Sequence, residues 1–542
     1  MKDFFAINTR NDFQPNVNLF LKDQIKKIEI ANFQICFSEF EKKNLYCWSE
    51  NGAELYLLGN PILLNGFLEL INSIRIREYI DNFEKIYKLF ERINGIAAFM
   101  ILDKVKNEIH FINDPLGYYP IFIYEDADRL IVTNSIKTLM FCNDINLEWD
   151  SNSIINYLNN GFFISGRTWY KNCRKLEPAL VLSLSLNSGT LSQINYWTWQ
   201  NCQKSDQTKE SLILDYIDTF NNSFEELPSS QEKIGIALSG GLDSRWVASN
   251  LAKRKINLES FTFSNGKSVD LNLAEKISKL LKIPWRTFQI NEKNWFEDRL
   301  LMFWEAGGLI PINHFHEGNI YTTLSKDYEI VATGFYGGGI YSSEKYLNQR
   351  INSTISKKLI QFCNTSDLSS NHYFDIESID PYLSYQKISN LAALHVYNMS
   401  KSFKVFLPFY NLKWLMVNYS IDEKLQSNSK FYLEVLIKEL DGKLTDLAWQ
   451  KTLVPLKYSA MNSCLLKYGL NKIIYSILSK IGFKINFVNY NFLIPKLDSL
   501  INKFSTPDFI EINRPKSIEQ KFRYVSMLLW IQMNKKHRAN VL

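Results

Sequence analysis

The stretch IALSGGLDSR, residues 236–245, decides the fold of the C-terminal part of this chain. The apolar residues from Ile234 to Leu238 are typical of a buried parallel strand. Two glycines follow, and Asp243 and Ser244 open the segment WVASNLAKR, whose pattern predicts a helix. The sequence therefore predicts a strand, a short loop and a helix N-terminus in direct succession.

The residue types of this loop fit a magnesium polyphosphate. Free backbone N–H groups at a helix N-terminus attract an oxyanion, and Gly240 and Gly241 let the main chain approach it without a Cβ. Ser239 and Ser244 add hydroxyl donors, whereas Asp243 can only accept, so we interpret it as a ligand to Mg²⁺ bridging phosphate oxygens. The Walker A spacing is absent. A plain glycine turn with a serine cap is the alternative.

The loop resembles the pyrophosphatase loop of ATP-pyrophosphatases and, together with later segments, the synthetase domain of the glutamine-dependent asparagine synthetase family. FTF at 261–263 looks like the second strand of that domain, and IVATGFYGGG at 330–339 looks like its third strand and glycine-rich loop. LPFYN at 407–411 is similar to its Pro-Phe-Leu-Asp segment, and WQKTLVP at 449–455 occupies the place of its lysine-bearing loop. The resemblance implies an ATP site formed by Leu238, Ser239, Gly240, Gly241, Asp243, Ser244, Phe263, Thr333 and Gly334.

Two N-terminal segments carry the same resemblance. Residues 94–124 resemble the Gly-x-Phe-Ala-Phe hairpin of the family and the strand pair after it, with an Asp-Lys turn and an Asp-Pro-x-Gly turn between apolar strands. Residues 157–197 match the closing helix and strands of the amidotransferase domain. We therefore expect an α/β and α+β protein of two domains: an N-terminal nucleophile (Ntn) hydrolase-like αββα sandwich over 1–205 and a parallel-sheet ATP-pyrophosphatase domain over 206–542.

Composition and charge fit this organisation and exclude other classes. A chain of 542 residues is too long to fold around a single hydrophobic core, so we expect more than one domain. Its composition of 46% hydrophobic and 22% charged residues is that of an ordinary globular protein. The chain has neither an apolar run of the ~18–20 residues that a membrane span needs nor a signal-peptide pattern, so we expect a cytoplasmic protein with no membrane partner. Seven scattered cysteines without a C-x-x-C pair indicate neither a disulfide framework nor a zinc site. A net charge of +6 from 62 basic and 56 acidic residues is mild, and this argues against a nucleic-acid partner.

The chain departs from the family pattern in its first residues. The resemblance implies an N-terminal cysteine nucleophile whose own α-amine acts as base, but position 2 is Lys2 and the first cysteine is Cys36. LGNPI at 58–62 lies near the place of the glutamine-binding asparagine-glycine pair and carries its glycine before the asparagine. We therefore expect an inactive glutaminase domain. A start further upstream that hides a Met-Cys is the alternative.

A second departure concerns the metal. In relatives the glycine-rich loop carries an aspartate that binds the pyrophosphate-side Mg²⁺ together with the aspartate of the first loop, whereas residues 333–339 carry no acid. We predict Asp243 and Glu344, the next acid along the chain, as metal ligands. Water ligands completing the Mg²⁺ shell and loss of adenylation are the alternatives.

Charged and ionisable side chains supply the candidates for chemistry. Lys451 stands where the family has its catalytic lysine and is our candidate to stabilise developing charge and handle the amine proton. Arg245, the third departure, is also a predicted catalytic residue; a bidentate clamp on a phosphate or carboxylate and a pair with a surface acid both fit. His314 and His316 fit the lining of a substrate pocket as well as a satisfied polar core.

The resemblance implies a carbon–nitrogen ligase of the asparagine synthase type. It would use ATP and Mg²⁺ to adenylate a small-molecule or peptide carboxylate, pass it to an amine and release AMP and pyrophosphate. Relatives without the nucleophile cysteine include β-lactam synthetases and lasso-peptide cyclases, so a ligase of that kind is an alternative, and a homodimer stays open. A non-catalytic nucleotide-binding relative is another alternative. An enzyme that thiolates or amidates RNA is a further one, against which the mild charge argues.

Overall fold

The computed structural model describes residues 4–9, 26–30, 33–37, 46–73, 75–142, 145–202, 204–225, 227, 233–254, 256–337, 383–426, 429–480, 490–510 and 513–541. The strands of its N-terminal part are, in chain order, β1 Phe4–Thr9, β2 Lys26–Ile30, β3 Phe33–Phe37, β4 Cys47–Glu50, β5 Ala53–Gly59, β6 Ile62–Leu63, β7 Ile93–Asn94, β8 Ala97–Asp103, β9 Glu108–Ile112, β10 Phe122–Glu125, β11 Arg129–Thr133, β12 Cys173–Lys175, β13 Leu180–Ser185 and β14 Leu191–Asn195.

These strands form two antiparallel sheets. The strand orders are β12-β10-β11-β1-β3-β2 and β14-β13-β9-β8-β5-β4, with β6 and β7 as a separate pair. Every residue of β8 is buried, which a strand shows when both faces of its sheet are covered. The helices of this part are Phe67–Ser73, Ile76–Asp81, Tyr87–Phe90 and Ser151–Asn160. Local sequence sets the bounds of the last one, because Asp150 caps its N-terminus and Gly161 takes the left-handed conformation after its end.

A parallel sheet forms the centre of the C-terminal part. Its strands are β15 Ile234–Ala237, β16 Leu258–Ser264, β17 Trp285–Gln289, β18 Ile330–Ala332 and β19 Lys404–Phe406, in the order β17-β16-β15-β18-β19. All four pairings are parallel. The chain therefore runs outward from β15 on one side and then continues on its other side from β18. In such sheets the carboxyl ends of the strands at this switch point form a crevice for ligands.

Helices surround the parallel sheet. A π-helical turn at Leu383–Ala392 precedes the later ones, and the α-helices are Lys209–Glu225, Leu242–Lys253, Val269–Leu281, Glu292–Glu305, Tyr321–Asp327, Ala393–Ser400, Leu412–Ser420, Glu423–Gln426, Lys430–Glu439, Gly442–Thr445, Ser459–Lys467, Leu470–Lys480, Ile494–Lys503 and Ile518–Val541. The predicted fold class is confirmed, with an antiparallel two-sheet part followed by a parallel α/β part. The boundary at 205/206 stays a prediction. Across the described ranges, none of the helices combines the length and apolar character that crossing a membrane requires.

Buried hydrogen bonds join the two parts. The side-chain amide of Asn94 donates to the carbonyl of Leu407 at 2.8 Å and accepts from its N–H at 2.7 Å. The hydroxyl of Tyr410 donates to Oδ1 of Asp114 at 2.5 Å, and the ammonium of the buried Lys175 donates to the carbonyl of Ser389 at 2.9 Å. The LPFYN segment, expected to belong to the synthetase, thus also contacts the N-terminal part.

Candidate nucleotide-binding site

A pocket opens at the carboxyl ends of β15, β16 and β18. Its walls come from the loop after β15, the end of β16, the loop after β18 and one residue that precedes a short helical turn. The lining residues are Ala237, Leu238, Ser239, Gly241, Asp243, Ser244, Phe261, Thr262, Phe263, Glu317, Thr333 and Gly334. The pocket therefore lies at the switch point that the strand order creates.

The helix Leu242–Lys253 begins at this pocket without a side-chain cap. Its N-cap residue is Gly241, which has no side chain to accept from the first turn, so those N–H groups and the positive end of the helix dipole are available to an anion. Ser239 and Ser244 shape the loop, because their hydroxyl oxygens lie 3.1 Å apart and the Ser244 hydroxyl accepts from the Ser239 N–H at 3.2 Å. This arrangement suits phosphate oxygens.

The two glycines of the loop have different roles. Gly240 does not line the pocket: its N–H donates to Oδ1 of Asp270 at 3.0 Å, and a Cβ there would lie 2.7 Å from that oxygen and 2.9 Å from a Leu273 methyl. Gly240 therefore lets the loop pack against the helix Val269–Leu281. Gly241 faces the pocket.

The glycine-rich loop packs directly on the first loop. A Cβ on Gly334 would lie 2.6 Å from the Ser244 nitrogen, and one on Gly337 would lie 2.5 Å from Cγ of Asp243. A side chain at position 334 would clash with the backbone of the first loop, and one at position 337 would clash with the side chain of Asp243. Both positions are therefore restricted to glycine while the two loops pack in this way. Oδ1 of Asp243 also accepts from the Tyr432 hydroxyl at 2.6 Å.

The donors at the pocket fit Mg²⁺ that arrives with a polyphosphate. Asp243 supplies a carboxylate, and Ser239, Ser244 and Thr333 supply hydroxyl oxygens, which are the hard ligands Mg²⁺ prefers. Among the described residues no group of three or more histidine, cysteine or acidic side chains could hold a metal by itself, so phosphate and water oxygens would complete the shell. Glu344, the other predicted ligand, lies outside the described residues.

Arg245 points away from the pocket, which corrects its interpretation as a clamp on phosphate or carboxylate. It is fully buried, and its guanidinium donates to the main-chain carbonyls of Gly240, Leu444, Leu447 and Ala448 at 2.7–3.4 Å. Burial lowers the pKa of Arg245 to about 10. The surface ion pair is not formed either. Arg245 is instead a positioning residue that fastens the segment before Trp449 and Lys451 to the loop after β15, residues 238–241, which we call the phosphate loop.

Lys451 lies next to the pocket and does not line it. Its ammonium sits 5.4 Å from the centre of the Trp449 ring, at a distance typical of a cation–π contact. The preceding residue approaches the phosphate loop: Oε1 of Gln450 would lie 3.8 Å from a Cβ on Gly241. The catalytic role predicted for Lys451 would require its side chain to turn from the indole towards the pocket.

The sequence did not single out Glu317, a carboxylate in the pocket wall. Oε2 of Glu317 lies 3.0 Å from Nε2 of His395. Burial raises the pKa of Glu317, but His395 and then His316 outweigh it and hold this pKa below its usual value. A charged carboxylate thus faces a site whose other features attract anions. The one available signal was its place in INHFHE, which drew attention to the two histidines instead.

His314 and His316 lie behind Glu317 and are not among the residues lining the pocket. Burial, and then the other histidines, lower the pKa of His314 to about 3 and that of His316 to about 4. Nδ1 of His316 lies 3.1 Å from the Tyr490 hydroxyl. Both rings are therefore neutral at neutral pH, and His316 forms part of a hydrogen-bonded polar core, the second of the two roles that the sequence left open.

Two protein families match this chain. The family described as "Glutamine amidotransferase domain" matches residues 83–197, and the family described as "Asparagine synthase" matches residues 215–312. Both matches support the resemblance of this chain to the asparagine synthetase family. The second match contains the phosphate loop and β16, and it ends before the glycine-rich loop.

Named relatives show the same resemblance. The putative asparagine synthetase [glutamine-hydrolyzing] 2 of Methanocaldococcus jannaschii is 28% identical over 225 residues, 40% of this chain and 43% of the relative. Asparagine synthetase [glutamine-hydrolyzing] 2 of Bacillus subtilis is 25% identical over 218 residues, 37% of this chain and 28% of the relative. The matched region thus spans less than half the length of these curated relatives.

A solved structure was also found to be similar. The allosteric regulatory enzyme of purine biosynthesis aligns with 53% of this chain and 59% of its own, with a TM-score of 0.23 and 12% identity.

Proposed function

We propose that this protein is an ATP-dependent, AMP-forming amide-bond synthetase. One observation carries the proposal: eight of the nine residues predicted to bind ATP, all except Gly240, line a single pocket at the switch point of the parallel sheet. The uncapped helix N-terminus and Asp243 supply the anion site and the Mg²⁺ ligand, and Phe261 and Phe263 supply apolar walls for a base.

The proposed reaction has two steps. A carboxylate oxygen attacks the α-phosphorus of ATP, the bond to the β-phosphate bridging oxygen breaks, and pyrophosphate leaves. The amine nitrogen then attacks the acyl carbon, the bond from carbon to the adenylate oxygen breaks, and AMP leaves with the amide formed. Magnesium would neutralise phosphate charge during the first step. Lys451 would stabilise the negative charge that develops in both.

Glu317 is the candidate to handle the amine. A carboxylate repels phosphate, so in this pocket it is suited to a ligand that carries protons or positive charge. We assign it to accept a hydrogen bond from the attacking nitrogen and to take up its proton as the amide forms. His395 holds the carboxylate in place from behind.

The test of the ligase proposal is pyrophosphate release. The full chain is incubated with Mg-ATP and a panel of amino-acid, sugar-acid and peptide carboxylates, each with ammonium or a primary amine. At least one pair is expected to give equal amounts of AMP and pyrophosphate. If no pair does so while ATP binds, the protein is a non-catalytic nucleotide-binding relative, the second candidate function.

Loss of the Asp243 charge is expected to weaken Mg-ATP binding. Asp243→Asn keeps an oxygen that can accept from the Tyr432 hydroxyl, so the fold is preserved while the metal ligand loses its charge. Because a hydrogen bond or contact to a charged group contributes about 1.5–3 kcal/mol, affinity should fall roughly tenfold to a hundredfold. Isothermal titration calorimetry with Mg-ATP measures it. Unchanged affinity contradicts the site.

Arg245→Met is the matched control for that titration. The guanidinium does not line the pocket, so Mg-ATP affinity should fall less than in Asp243→Asn, while the free energy of unfolding falls by about 2–3 kcal/mol, because buried carbonyls lose their donors. Arg245→Lys, which keeps one donor group, should lose less stability. A loss of affinity as large as that of Asp243→Asn would restore the clamp interpretation.

We further propose that the amidotransferase part of this chain does not hydrolyse glutamine. Burial, the largest cause, raises the pKa of three of the thiols in this part, Cys142, Cys173 and Cys202, to about 12, which keeps them protonated and poorly nucleophilic. Glutamate release from glutamine is expected to stay at the buffer background. Saturable release that iodoacetamide abolishes would overturn this proposal and leave the ligase proposal intact.

A further inference from the structure

An apolar stripe on the helix Leu470–Lys480 faces water. Leu470, Ile473 and Ile477 recur at the i, i+3, i+7 spacing of one helix face, and they are 40%, 58% and 57% exposed. Amphipathic helices of globular proteins normally turn such a stripe to the core. This one is therefore available to a partner.

The opposite face of the same helix is already in use. The Tyr475 hydroxyl donates to the carbonyl of Gln450, and the side-chain amide of Asn471 donates to the carbonyl of Lys451 at 3.3 Å. The inner face thus holds the loop beside the nucleotide pocket. The outer stripe is therefore a second apolar face, separate from the face that packs against the protein.

Exposed apolar side chains also occur on the preceding helix and around it. The preceding helix Ser459–Lys467 contacts the helix Leu470–Lys480, and exposed apolar side chains stand on and around both helices. They are Tyr458, Met461, Tyr468, Leu470, Ile473 and Ile477, which we call the 458–477 surface. A surface of this kind marks an interaction site more often than a scattered single residue does.

Charge decides which partner suits this surface. Residues 447–497 contain seven lysines and no arginine, aspartate or glutamate. Lys467, Lys472 and Lys480 are exposed on the same two helices, while Lys457 pairs with Asp446 at 2.8 Å. A symmetric dimer through this surface would bring lysines of both copies together, which like-charge repulsion opposes. An anionic partner is favoured.

We propose that the 458–477 surface docks on an anionic lipid membrane. Isoleucine and tyrosine side chains would enter the boundary between headgroups and acyl chains, and the lysines would contact anionic headgroups. A helix that lies in the interface needs no membrane-spanning segment. Because the inner face of this helix holds the Lys451 loop, docking brings the nucleotide pocket close to the membrane.

Co-sedimentation with lipid vesicles tests the proposal. The full chain is mixed with vesicles of equal parts phosphatidylglycerol and phosphatidylcholine, and with vesicles of phosphatidylcholine alone. Binding is expected to the anionic vesicles and to weaken in about 0.5 M NaCl. The double variants Ile473→Ser/Ile477→Ser and Lys472→Gln/Lys480→Gln should each bind at least about tenfold more weakly.

Two controls keep the result interpretable. Leu301→Ser removes another exposed apolar side chain, 63% exposed on the helix Glu292–Glu305, and should bind vesicles like wild type. All variants should keep wild-type Mg-ATP affinity, which shows that they are folded. Absence of binding to anionic vesicles, equal binding to neutral ones, or unaltered affinity of both double variants overturns the proposal. A dimer that the isoleucine variant dissociates also overturns it.

Discussion

Lys451→Ala is expected to lower pyrophosphate release at least about a hundredfold while Mg-ATP affinity changes little. The lysine lies beside the phosphate loop, with its ammonium over the Trp449 ring and outside the pocket lining. Its charge would therefore act on the charge that develops in the transition state more than on bound ATP. Removing one such stabilising group costs roughly 3–4 kcal/mol of activation free energy, a hundredfold or more in rate.

The measurement pairs single-turnover pyrophosphate release with calorimetric ATP affinity, on the substrate pair that the panel identifies. Lys457→Ala is the matched control, because Lys457 is a nearby exposed lysine that pairs with Asp446 and should release pyrophosphate at the wild-type rate. Lys451→Arg keeps the charge and should retain part of the rate. A rate for Lys451→Ala within about threefold of wild type would remove the lysine from the mechanism.

Glu317→Gln is expected to separate the two half-reactions. The glutamine has nearly the same shape but cannot take up a proton, and general-base groups typically contribute 10²–10⁴-fold. Amide formation should therefore fall at least about a hundredfold. Carboxylate-dependent exchange of labelled pyrophosphate into ATP, which needs no amine, should stay near the wild-type rate.

The pH dependence gives a second readout for Glu317. Burial raises the pKa of Glu317, but His395 and His316 outweigh burial and hold this pKa below its usual value. The carboxylate is therefore charged at neutral pH, and it loses its charge only when the pH falls below the lowered pKa. When the pH is lowered from alkaline values to neutral, protonation of Glu317 should therefore not slow amide formation by the wild type. Glu292→Gln, at an exposed helix start, is the control. Equal losses in both half-reactions would make Glu317 a structural residue.

The phosphate loop could be predicted because its signals are local. An apolar strand, two small residues and a helix start lie within ten positions, and steric and hydrogen-bonding preferences of neighbouring residues determine such a unit. The resemblance placed three strands in these segments, and the structure pairs β15 with β16 on one side and with β18 on the other. The asparagine synthetase resemblance then supplied the fold class that the sheets confirm.

The orientation of the Arg245 side chain could not be predicted from the neighbouring residues. Its position after Asp243 and Ser244 suggested a side chain aimed at phosphate, but a helix turns each successive residue by about 100°, and this one faces the interior. The carbonyl of Leu444 that it binds lies 199 residues away in the chain. Such a partner appears only when the later helices pack against the first loop.

The sequence by itself thus predicted a strand, a glycine loop and a helix start in succession, because these elements are set by residues close together in the chain. Only the tertiary structure showed that Glu317 lines the pocket, that Arg245 points away from it and that the Leu470–Lys480 helix exposes an apolar stripe to water. The physical reason is that burial and charge pairing depend on which distant segments meet. Glu317 and His395 stand 3.0 Å apart across the fold, and nothing in the residues around either of them specifies that contact.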